Sequence, residues 1–249
     1  MERVKSGIHG LDELVGGGIP KKLSILVSGS CGTGKTILSL QYLHNGAKDY
    51  AEPGVYVTFE ESRDKIISQT KAFGWDLDSL EKKKLLSLYV VDTEDMAEVL
   101  MEIKSRIAEI KAQRLVLDSL TTMAEHVVIY RSGISRELSS YVRQKSPLKF
   151  PSETGAVTRK DVYYIINEVN KLGTTSLLIS EVGEKSDFLS RDTISEFAAD
   201  GVIMLQNSVT GGQAERLLSV RKMRGTEVNM DLATLKFTKN GVEVVQEQE

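Results

Sequence analysis

The chain has 249 residues, of which 41% are hydrophobic and 27% are charged, a balance that is typical of a globular protein with a sizeable core. A net charge of −3 and a pI near 5.8 argue against a protein whose whole surface attracts nucleic acid or anionic membranes. The single cysteine excludes an internal disulfide framework, and the lack of a leader-like start or of a membrane-length apolar run predicts a cytoplasmic protein.

A complete phosphate-loop motif is the first strong signal along the chain. Residues 29–36 match the pattern G-x-x-x-x-G-K-[ST]. In such a loop the glycines permit a tight turn that points backbone N–H groups at phosphate, the lysine reaches the β/γ oxygens, and the hydroxyl holds Mg²⁺. The predicted nucleotide-binding residues are Gly29, Ser30, Cys31, Gly32, Thr33, Gly34, Lys35 and Thr36.

The segments on either side of this loop support the same interpretation. The apolar run Leu23–Val27 predicts a buried parallel strand, and apolar residues at helical spacing predict a helix that ends near Asn45-Gly46. The helix N-terminus would favour phosphate charge. A glycine-rich surface turn is the alternative, and it does not account for the order of strand, loop and helix.

Apolar β-branched runs alternate with helical patterns along the rest of the chain. Strands are predicted over 54–59, 86–91, 114–118, 175–180, 201–205 and 217–221, and helices over about 62–73, 95–111 and 159–172. Asn240-Gly241 lies between two further short strands and predicts a C-terminal β-hairpin. This order predicts an α/β fold with a mostly parallel twisted sheet and helices on both faces, formed by a single domain over residues 1–249.

One segment reverses the acidic character of the chain. Residues 131–160 contain seven basic residues against two acidic ones, with Tyr141 and Phe150 among them. The basic residues are Arg131, Arg136, Arg143, Lys145, Lys149, Arg159 and Lys160. The segment is either a surface for a polyanion or an acidic partner, or a solvated helical insertion or subunit contact.

Asp118 closes the apolar run Leu115–Leu117. A carboxylate at the end of a buried strand has the form of a Walker B acid, which reaches Mg²⁺ through water. The alternative is an aspartate that caps the next helix. With a phosphate loop in the same chain, we predict that Asp118 and Thr36 hold the metal.

Two adjacent carboxylates, Glu60 and Glu61, follow the strand predicted over 54–59. At the carboxyl edge of an open α/β sheet they would face the ligand crevice, where one of them could polarise the attacking water. Glu60 is the favoured base. Glu61 has the alternative of belonging to the N-terminal cap region of the helix that starts near Ser62.

Lys222 and Arg224 follow the strand predicted over 217–221, and strand alternation places both on one side. Two cations at one strand end suit a phosphate in a neighbouring site, because the subunit's own loop already contains Lys35. A plain pair of charges on an edge strand is the alternative.

Together these motifs resemble those of the KaiC-like ATPases of the RecA superfamily, especially single-domain archaeal and bacterial members. The resemblance rests on Ser6–Glu13, Gly16–Pro20, the phosphate loop, Thr58–Glu61, Leu117–Ser119, Ala199–Val202 and Lys222–Thr226. It covers nearly the whole chain and leaves out most of a basic insertion at about 123–157.

The resemblance implies a RecA-like P-loop core that assembles into homohexameric rings with ATP between subunits. It further implies that Glu60 and Glu61 are the catalytic glutamate pair and that Lys222 and Arg224 act across the interface. Clock-type KaiC has two such domains and phosphorylation sites, so circadian and autokinase functions do not carry over. We expect no counterpart to the N-terminal DNA-binding domain of RadA-type recombinases, because the core begins at once.

We therefore expect Mg²⁺-dependent hydrolysis of ATP to ADP and phosphate by a homo-oligomer in a regulatory or signalling role. Two alternatives stay open. The first is a nucleic-acid-directed ATPase, a recombination or repair accessory that uses residues 131–160. The second is an ATP-bound scaffold that does not hydrolyse its nucleotide.

Overall fold

The computed structural model describes residues 1–127, 129–130, 154–155, 157–184, 186, 188–210 and 213–246. Of the basic residues in segment 131–160, only Arg159 and Lys160 belong to these ranges. The predictions made for the others, and for Tyr141 and Phe150, lie outside the described residues.

The described elements include every strand and helix that the sequence predicts, in the predicted order, together with short elements that were not predicted. The strands are β1 Arg3–Val4, β2 Ile19–Pro20, β3 Ser24–Gly29, β4 Gly54–Thr58, β5 Leu86–Val90, β6 Arg114–Asp118, β7 Ile129–Tyr130, β8 Thr154–Gly155, β9 Thr175–Glu181, β10 Gly201–Thr210, β11 Gln213–Met223, β12 Ala233–Thr238 and β13 Gly241–Val245. The helices are α1 Leu11–Leu14, α2 Lys35–Tyr50, α3 Arg63–Lys71, α4 Leu77–Lys82, α5 Met96–Ile110, α6 Leu120–His126, α7 Arg159–Lys171 and α8 Ser195–Ala198.

One large sheet organises the described residues. Its nine strands lie in the order β13-β12-β11-β10-β3-β9-β6-β4-β5. Strands β10, β3, β9, β6, β4 and β5 are parallel, and β11, β12 and β13 add an antiparallel edge. The predicted mostly parallel α/β fold with a C-terminal hairpin is confirmed.

Strand alternation divides the core into two clusters, one on each face of the sheet. In β3, Ile25 and Val27 point into a cluster with residues of α2, α3 and α4, while Leu26 points into a cluster with residues of α5, α6 and α7. Helices therefore cover both faces, as predicted. Among the described residues, no helix is long and apolar enough to cross a bilayer.

Several predicted boundaries are wrong. The helix after the phosphate loop continues through Asn45-Gly46 to Tyr50, because Gly46 serves close packing: a Cβ there would lie 2.6 Å from Arg114 Cδ. Strands β10 and β11 are longer than predicted, since β10 pairs with β3 only as far as Leu205 and then continues with β11 as a two-stranded ribbon. The hairpin turn consists of residues 239–240.

Helices α1, α4, α6 and α8 were not predicted. All four are short, with seven residues in the longest, so their apolar residues do not complete a helical pattern that can be recognised in sequence.

Candidate functional site

The phosphate loop connects the carboxyl end of β3 to the first turn of α2. Its backbone takes left-handed φ values of 75° at Gly32 and 101° at Gly34, a conformation that glycine adopts at little cost. A Cβ at Gly34 would also lie 2.9 Å from Phe237 Cζ, so β12 packs directly against the loop. Because α2 begins at Lys35, its unpaired N-terminal N–H groups lie at the loop, where they suit an anion.

Lys35 is buried beneath this loop. Its Nζ donates to the Ser30 carbonyl at 2.9 Å and lies 3.6 Å from Glu181 Oε1. The Thr33 hydroxyl donates to the same carbonyl at 2.8 Å, which fixes the turn from within. A buried ammonium held beside half-exposed Glu181 is well placed to exchange these partners for phosphate oxygens.

Asp118 meets the phosphate loop through Thr36. The Thr36 hydroxyl donates to Asp118 Oδ2 at 3.0 Å, and the buried Tyr56 hydroxyl donates to the same oxygen at 2.7 Å. Burial raises the pKa of the Asp118 carboxyl to about 6, against the lowering effect of these two hydroxyls. The same burial, together with Asp118, raises the pKa of Tyr56 well above its usual value, so its hydroxyl remains a donor.

The hydroxyl–carboxylate pair of Thr36 and Asp118 fits a Mg²⁺ site. This ion prefers oxygen ligands and is usually bound by only one or two protein side chains, with water and phosphate completing its coordination. The role of cap for α6 belongs to Ser119, whose side chain accepts from the Thr122 N–H. Asp118 therefore does not act as the cap.

Glu60 is held next to Asp118 by two hydroxyls at the start of α6. Glu60 Oε1 accepts from the Ser119 hydroxyl at 2.9 Å and also from the Thr122 hydroxyl. The backbone N–H groups of Glu60 and Glu61 both donate to the buried Thr58 hydroxyl at 3.2 Å, which anchors the pair at the end of β4. The two glutamates thus leave the sheet at a fixed point.

Glu61 takes part in a separate contact. Its Oε1 accepts from Gln69 Nε2 of α3 at 2.9 Å, while its Oε2 is buried without a protein partner in the described structure. Ser62 is the N-cap of α3 and makes no side-chain cap hydrogen bond. The side chain of Glu61 is therefore held by the body of α3 instead of capping its end.

Some residues that contact the site were missed in the sequence. Glu181 ends β9 opposite Gly29, and a carboxylate after the apolar run of β9 is the same signal that identified Asp118. Arg216 donates from Nε to the Gly32 carbonyl at 3.0 Å, and its guanidinium lies 4.7 Å from the centre of the Phe237 ring. No sequence signal points to Arg216 or Phe237, because their proximity to the loop depends on how β11 and β12 join the sheet.

The structure does not bring Lys222 and Arg224 to the phosphate loop of the same chain. Lys222 pairs with Val202 of β10, and Val202 in turn pairs with Leu26 of β3. Leu26 lies about 10 Å along β3 from Gly29, where the phosphate loop begins. Lys222 Nζ donates to the Ala199 carbonyl at 2.6 Å, and burial together with the Arg224 charge lowers the pKa of Lys222.

Arg224, two residues after Lys222, contacts the same segment of the chain, residues 196–200. Its Nη1 donates to Asp200 Oδ1 at 2.7 Å, and its Nη2 donates to the Phe197 carbonyl at 3.4 Å. The predicted common side of Lys222 and Arg224 agrees with these contacts. Both cations lie toward the amino edge of the parallel strands, whereas the phosphate loop lies at the carboxyl edge.

Comparisons with known proteins identify the family that this chain resembles. The family model described as "ATPase: KaiC" matches residues 4–146 and residues 145–249. The circadian clock oscillator protein KaiC of Prochlorococcus marinus subsp. pastoris is 32% identical over 237 residues, which is 91% of this chain and 42% of that protein. KaiC of Synechococcus elongatus is 29% identical over 97% of this chain and 44% of that protein.

A solved structure is similar over the full length. The crystal structure of a KaiC-like protein from the hyperthermophilic archaeon Pyrococcus horikoshii OT3 has a TM-score of 0.80 and 31% sequence identity, covering 98% of this chain and 99% of that one. The chain spans less than half the length of the curated relatives it matches.

Proposed function

This chain belongs to the KaiC family of ATPases, and we propose that it hydrolyses ATP to ADP and phosphate in a Mg²⁺-dependent reaction. The observation that carries the proposal is the meeting of four groups at one edge of the sheet. The phosphate loop, Asp118, the Glu60-Glu61 pair and Glu181 all follow the carboxyl ends of neighbouring parallel strands. Ligands of open α/β sheets bind at this edge.

Residues 29–36 bind the phosphates of ATP in this proposal. The backbone N–H groups of the loop and of the first turn of α2 donate to phosphate oxygens. Lys35 leaves the Ser30 carbonyl and Glu181 to neutralise the β/γ charge. Its burial makes that charge more effective than an exposed lysine would be, because the surrounding dielectric is lower.

Thr36 and Asp118 would hold Mg²⁺. When bound, the ion supplies positive charge that polarises the phosphates. The residues fit this role because a threonine hydroxyl and a carboxylate already lie 3.0 Å apart at the end of the loop.

A carboxylate of the Glu60-Glu61 pair orients and polarises the attacking water, with Glu60 as the favoured base. The Ser119 and Thr122 hydroxyls hold Glu60 on the side of Asp118, which supports this assignment. The Thr58 hydroxyl fixes the backbone of both glutamates and so limits how far either carboxylate can move.

Lys222 and Arg224 act on the ATP of a neighbouring subunit. Their position at the amino edge of the parallel strands, away from the chain's own loop, supports action across an interface. We propose a homohexamer of chains that each form one ATPase domain over residues 1–249. The ring would work in the cytoplasm in a regulatory or signalling role.

Two variants of the full chain test the chemistry. Glu60→Gln should still bind ATP while phosphate release falls by roughly two orders of magnitude or more, because the shape is kept and the base is lost. Lys35→Ala should lose both ATP binding and turnover. Binding of a fluorescent ATP analogue and release of phosphate are measured side by side, with and without single-stranded DNA.

The outcomes separate the alternatives. Tight binding by the unmodified chain without phosphate release would support the scaffold, and stimulation by DNA would support the nucleic-acid-directed enzyme. Full turnover by Lys35→Ala would remove residues 29–36 from the working site. Full turnover by both Glu60→Gln and Glu61→Gln would end the glutamate assignment.

A further inference from the structure

We propose that Gln69 is a positioning residue for Glu61, and that it holds this carboxylate so that only one of its oxygens can take part in the reaction. The inference rests on the proposed function, in which the glutamate pair serves ATP hydrolysis. Gln69 belongs to α3, outside every motif that the sequence analysis singled out.

The two oxygens of Glu61 have different surroundings. Gln69 Nε2 donates to Oε1 at 2.9 Å, whereas Oε2 is buried and accepts from no protein group in the described residues. A buried carboxylate oxygen needs a donor. Gln69 satisfies one oxygen and thereby leaves Oε2 as the only oxygen of this carboxylate that still lacks a donor in the described structure, so Oε2 is the one left to accept from a polar group of the reaction.

The amide of Gln69 is carried by a firmly packed element. Helix α3 buries Ile66, Ile67 and Thr70, and the Thr70 hydroxyl donates back to the Ile66 carbonyl at 3.0 Å. The backbone of Glu61 is fixed independently by the Thr58 hydroxyl. With both ends anchored, the contact restricts the side-chain torsions of Glu61.

An amide suits this role better than a cation. A lysine or arginine in its place would pair with Glu61 and lower its basicity, whereas a neutral N–H donor orients the carboxylate and leaves it without a counter-ion. Glu61 also lies close enough to Asp118 for its charge to contribute to the raised pKa of that group. The carboxylate held by Gln69 therefore belongs to the electrostatics of the same site.

The two glutamates are held by different elements. Glu60 is held by the hydroxyls of Ser119 and Thr122, which lie at the start of α6, and Glu61 is held by α3. Loss of Gln69 should therefore disturb Glu61 alone. Since no hydrogen bond joins Gln69 to the phosphate loop in the described part of the chain, its loss should leave ATP binding intact.

The test is a double-mutant cycle on the full chain. Gln69→Met removes the donor at similar length and should lower kcat about ten- to hundredfold with KM for ATP unchanged, as expected when a reacting group loses its orientation. In a Glu61→Gln background the same change should have no further effect on kcat. Lys65→Met on the exposed side of α3 is the matched control and should keep the kcat of the unmodified chain.

Three results would overturn the inference. They are a kcat for Gln69→Met within twofold of the unmodified chain, an equal loss of kcat in both backgrounds, and full activity of Glu61→Gln. An equal loss would reveal a purely structural role for Gln69. The proposed function is judged separately, since turnover by the unmodified chain and its loss in Glu60→Gln do not depend on Gln69.

Discussion

Asp118 is the residue at which stability and the proposed function conflict most directly. Its side chain is almost fully buried, and two hydroxyl donors only partly compensate for the loss of water around the carboxylate. The pKa therefore rises from 3.8 to about 6. A carboxylate kept charged in such a place suits a metal ion, and it costs stability while no cation is bound.

The sign of the pH dependence follows from this shift. Between pH 4 and about 6 the folded state binds the proton of Asp118 more tightly than the unfolded state, so the contribution of this group to stability falls as pH rises through that window. The difference between the two pKa values corresponds to about 3 kcal/mol.

Asp118→Asn should therefore stabilise the protein without Mg²⁺ or nucleotide by about 1–3 kcal/mol at pH 8, and by much less at pH 4.5. Urea unfolding at both pH values measures the difference. The exposed carboxylate of Asp78, whose pKa is lowered by its hydrogen bond from Arg63, offers a control: Asp78→Asn should give no gain at pH 8. Equal effects of Asp118→Asn at both pH values would show that its charge is not the cause.

Sequence patterns identify residues of this site only where a motif is local. Lys35, Thr36 and Asp118 are recognisable because a glycine loop or an apolar strand stands directly beside them. Gln69 has no such signal. It lies eight residues after Glu61 in the chain, and the path of the chain into α3 brings the two side chains together. The hydrogen-bond partner of a side chain such as Glu61 is set by tertiary packing, which a single sequence does not display.

At the level of elements, α2 combines two tasks, since it begins at the phosphate loop and packs against the buried guanidinium of Arg114. This guanidinium donates to Glu52 Oε2, to the Tyr42 carbonyl at 2.7 Å and to the Lys5 carbonyl at 2.9 Å, and it lies 4.4 Å from the centre of the Tyr42 ring. These bonds leave it no room to move away from Gly46.

Gly46→Ala tests this packing through the sign of its effect. Helix propensity alone predicts a gain of about 1 kcal/mol. The clash with the anchored Arg114 side chain predicts a net loss of about 1–3 kcal/mol, measured by urea unfolding. In an Arg114→Ala background the same substitution should be neutral or stabilising. A gain in stability for Gly46→Ala in the unmodified background would mean that the Arg114 guanidinium rearranges at little cost to accommodate the added methyl group.

The open edge of the sheet at β5 is protected by side chains. The outward N–H of Leu88 donates to Glu81 Oε1 at 2.9 Å, and the Leu88 carbonyl accepts from Arg106 at 3.2 Å. Such contacts occupy groups with which another strand would pair. Propensity predicted β5 as a strand, and its position at the edge and this protection were not visible in the sequence.

Element boundaries were predicted least well where tertiary contacts override local signals. Asn45-Gly46 has the composition of a helix end, and the glycine is instead required by Arg114 from β6. Strands β10 and β11 continue beyond the apolar residues from which they were predicted, because pairing with each other suffices to extend them. Where an apolar pattern was itself the signal, as in β6, the predicted range Arg114–Asp118 is confirmed.

Over the whole molecule, strand order decides which residues meet. The sequence predicted a mostly parallel sheet without its order, and β9 lies between β3 and β6. Glu181 at the end of β9 therefore stands between the phosphate loop and Asp118, beside Lys35. No spacing along the chain indicates this, since the three strand ends are separated by 89 residues from Gly29 to Asp118 and by 63 from there to Glu181.

The same topology separates the cations from the loop of their own chain. Strand β11 runs antiparallel to β10, so its last residues return to the amino edge of the parallel strands, where Arg224 meets Asp200. An arginine side chain spans about 6–7 Å, and Arg224 stands beyond the level of Ile25, more than 10 Å along the strand from Gly29. If Arg224 serves hydrolysis, the site that it serves lies on another subunit.

Mixing two inactive chains tests this arrangement. Lys35→Ala lacks a working phosphate loop and keeps its cations, while Arg224→Ala has the opposite defect. In a mixed assembly, some interfaces pair the intact loop of one chain with the intact Arg224 of the other, so part of the phosphate release should return. Activity of the unmodified chain should also rise more than linearly with protein concentration until assembly is complete.

The control replaces Lys35→Ala with a chain that carries both substitutions, so that no interface contains an intact loop and an intact Arg224. Mixed assembly is verified by mass before activity is compared. Recovery in the first mixture and none in the control would require Arg224 to act across subunits. If Arg224 served the phosphate loop of its own chain, each chain in the first mixture would lack either Lys35 or Arg224 and no site would be complete. Equal inactivity of both mixtures would return Lys222 and Arg224 to a structural role, in which they hold the segment 196–200 against the end of β11.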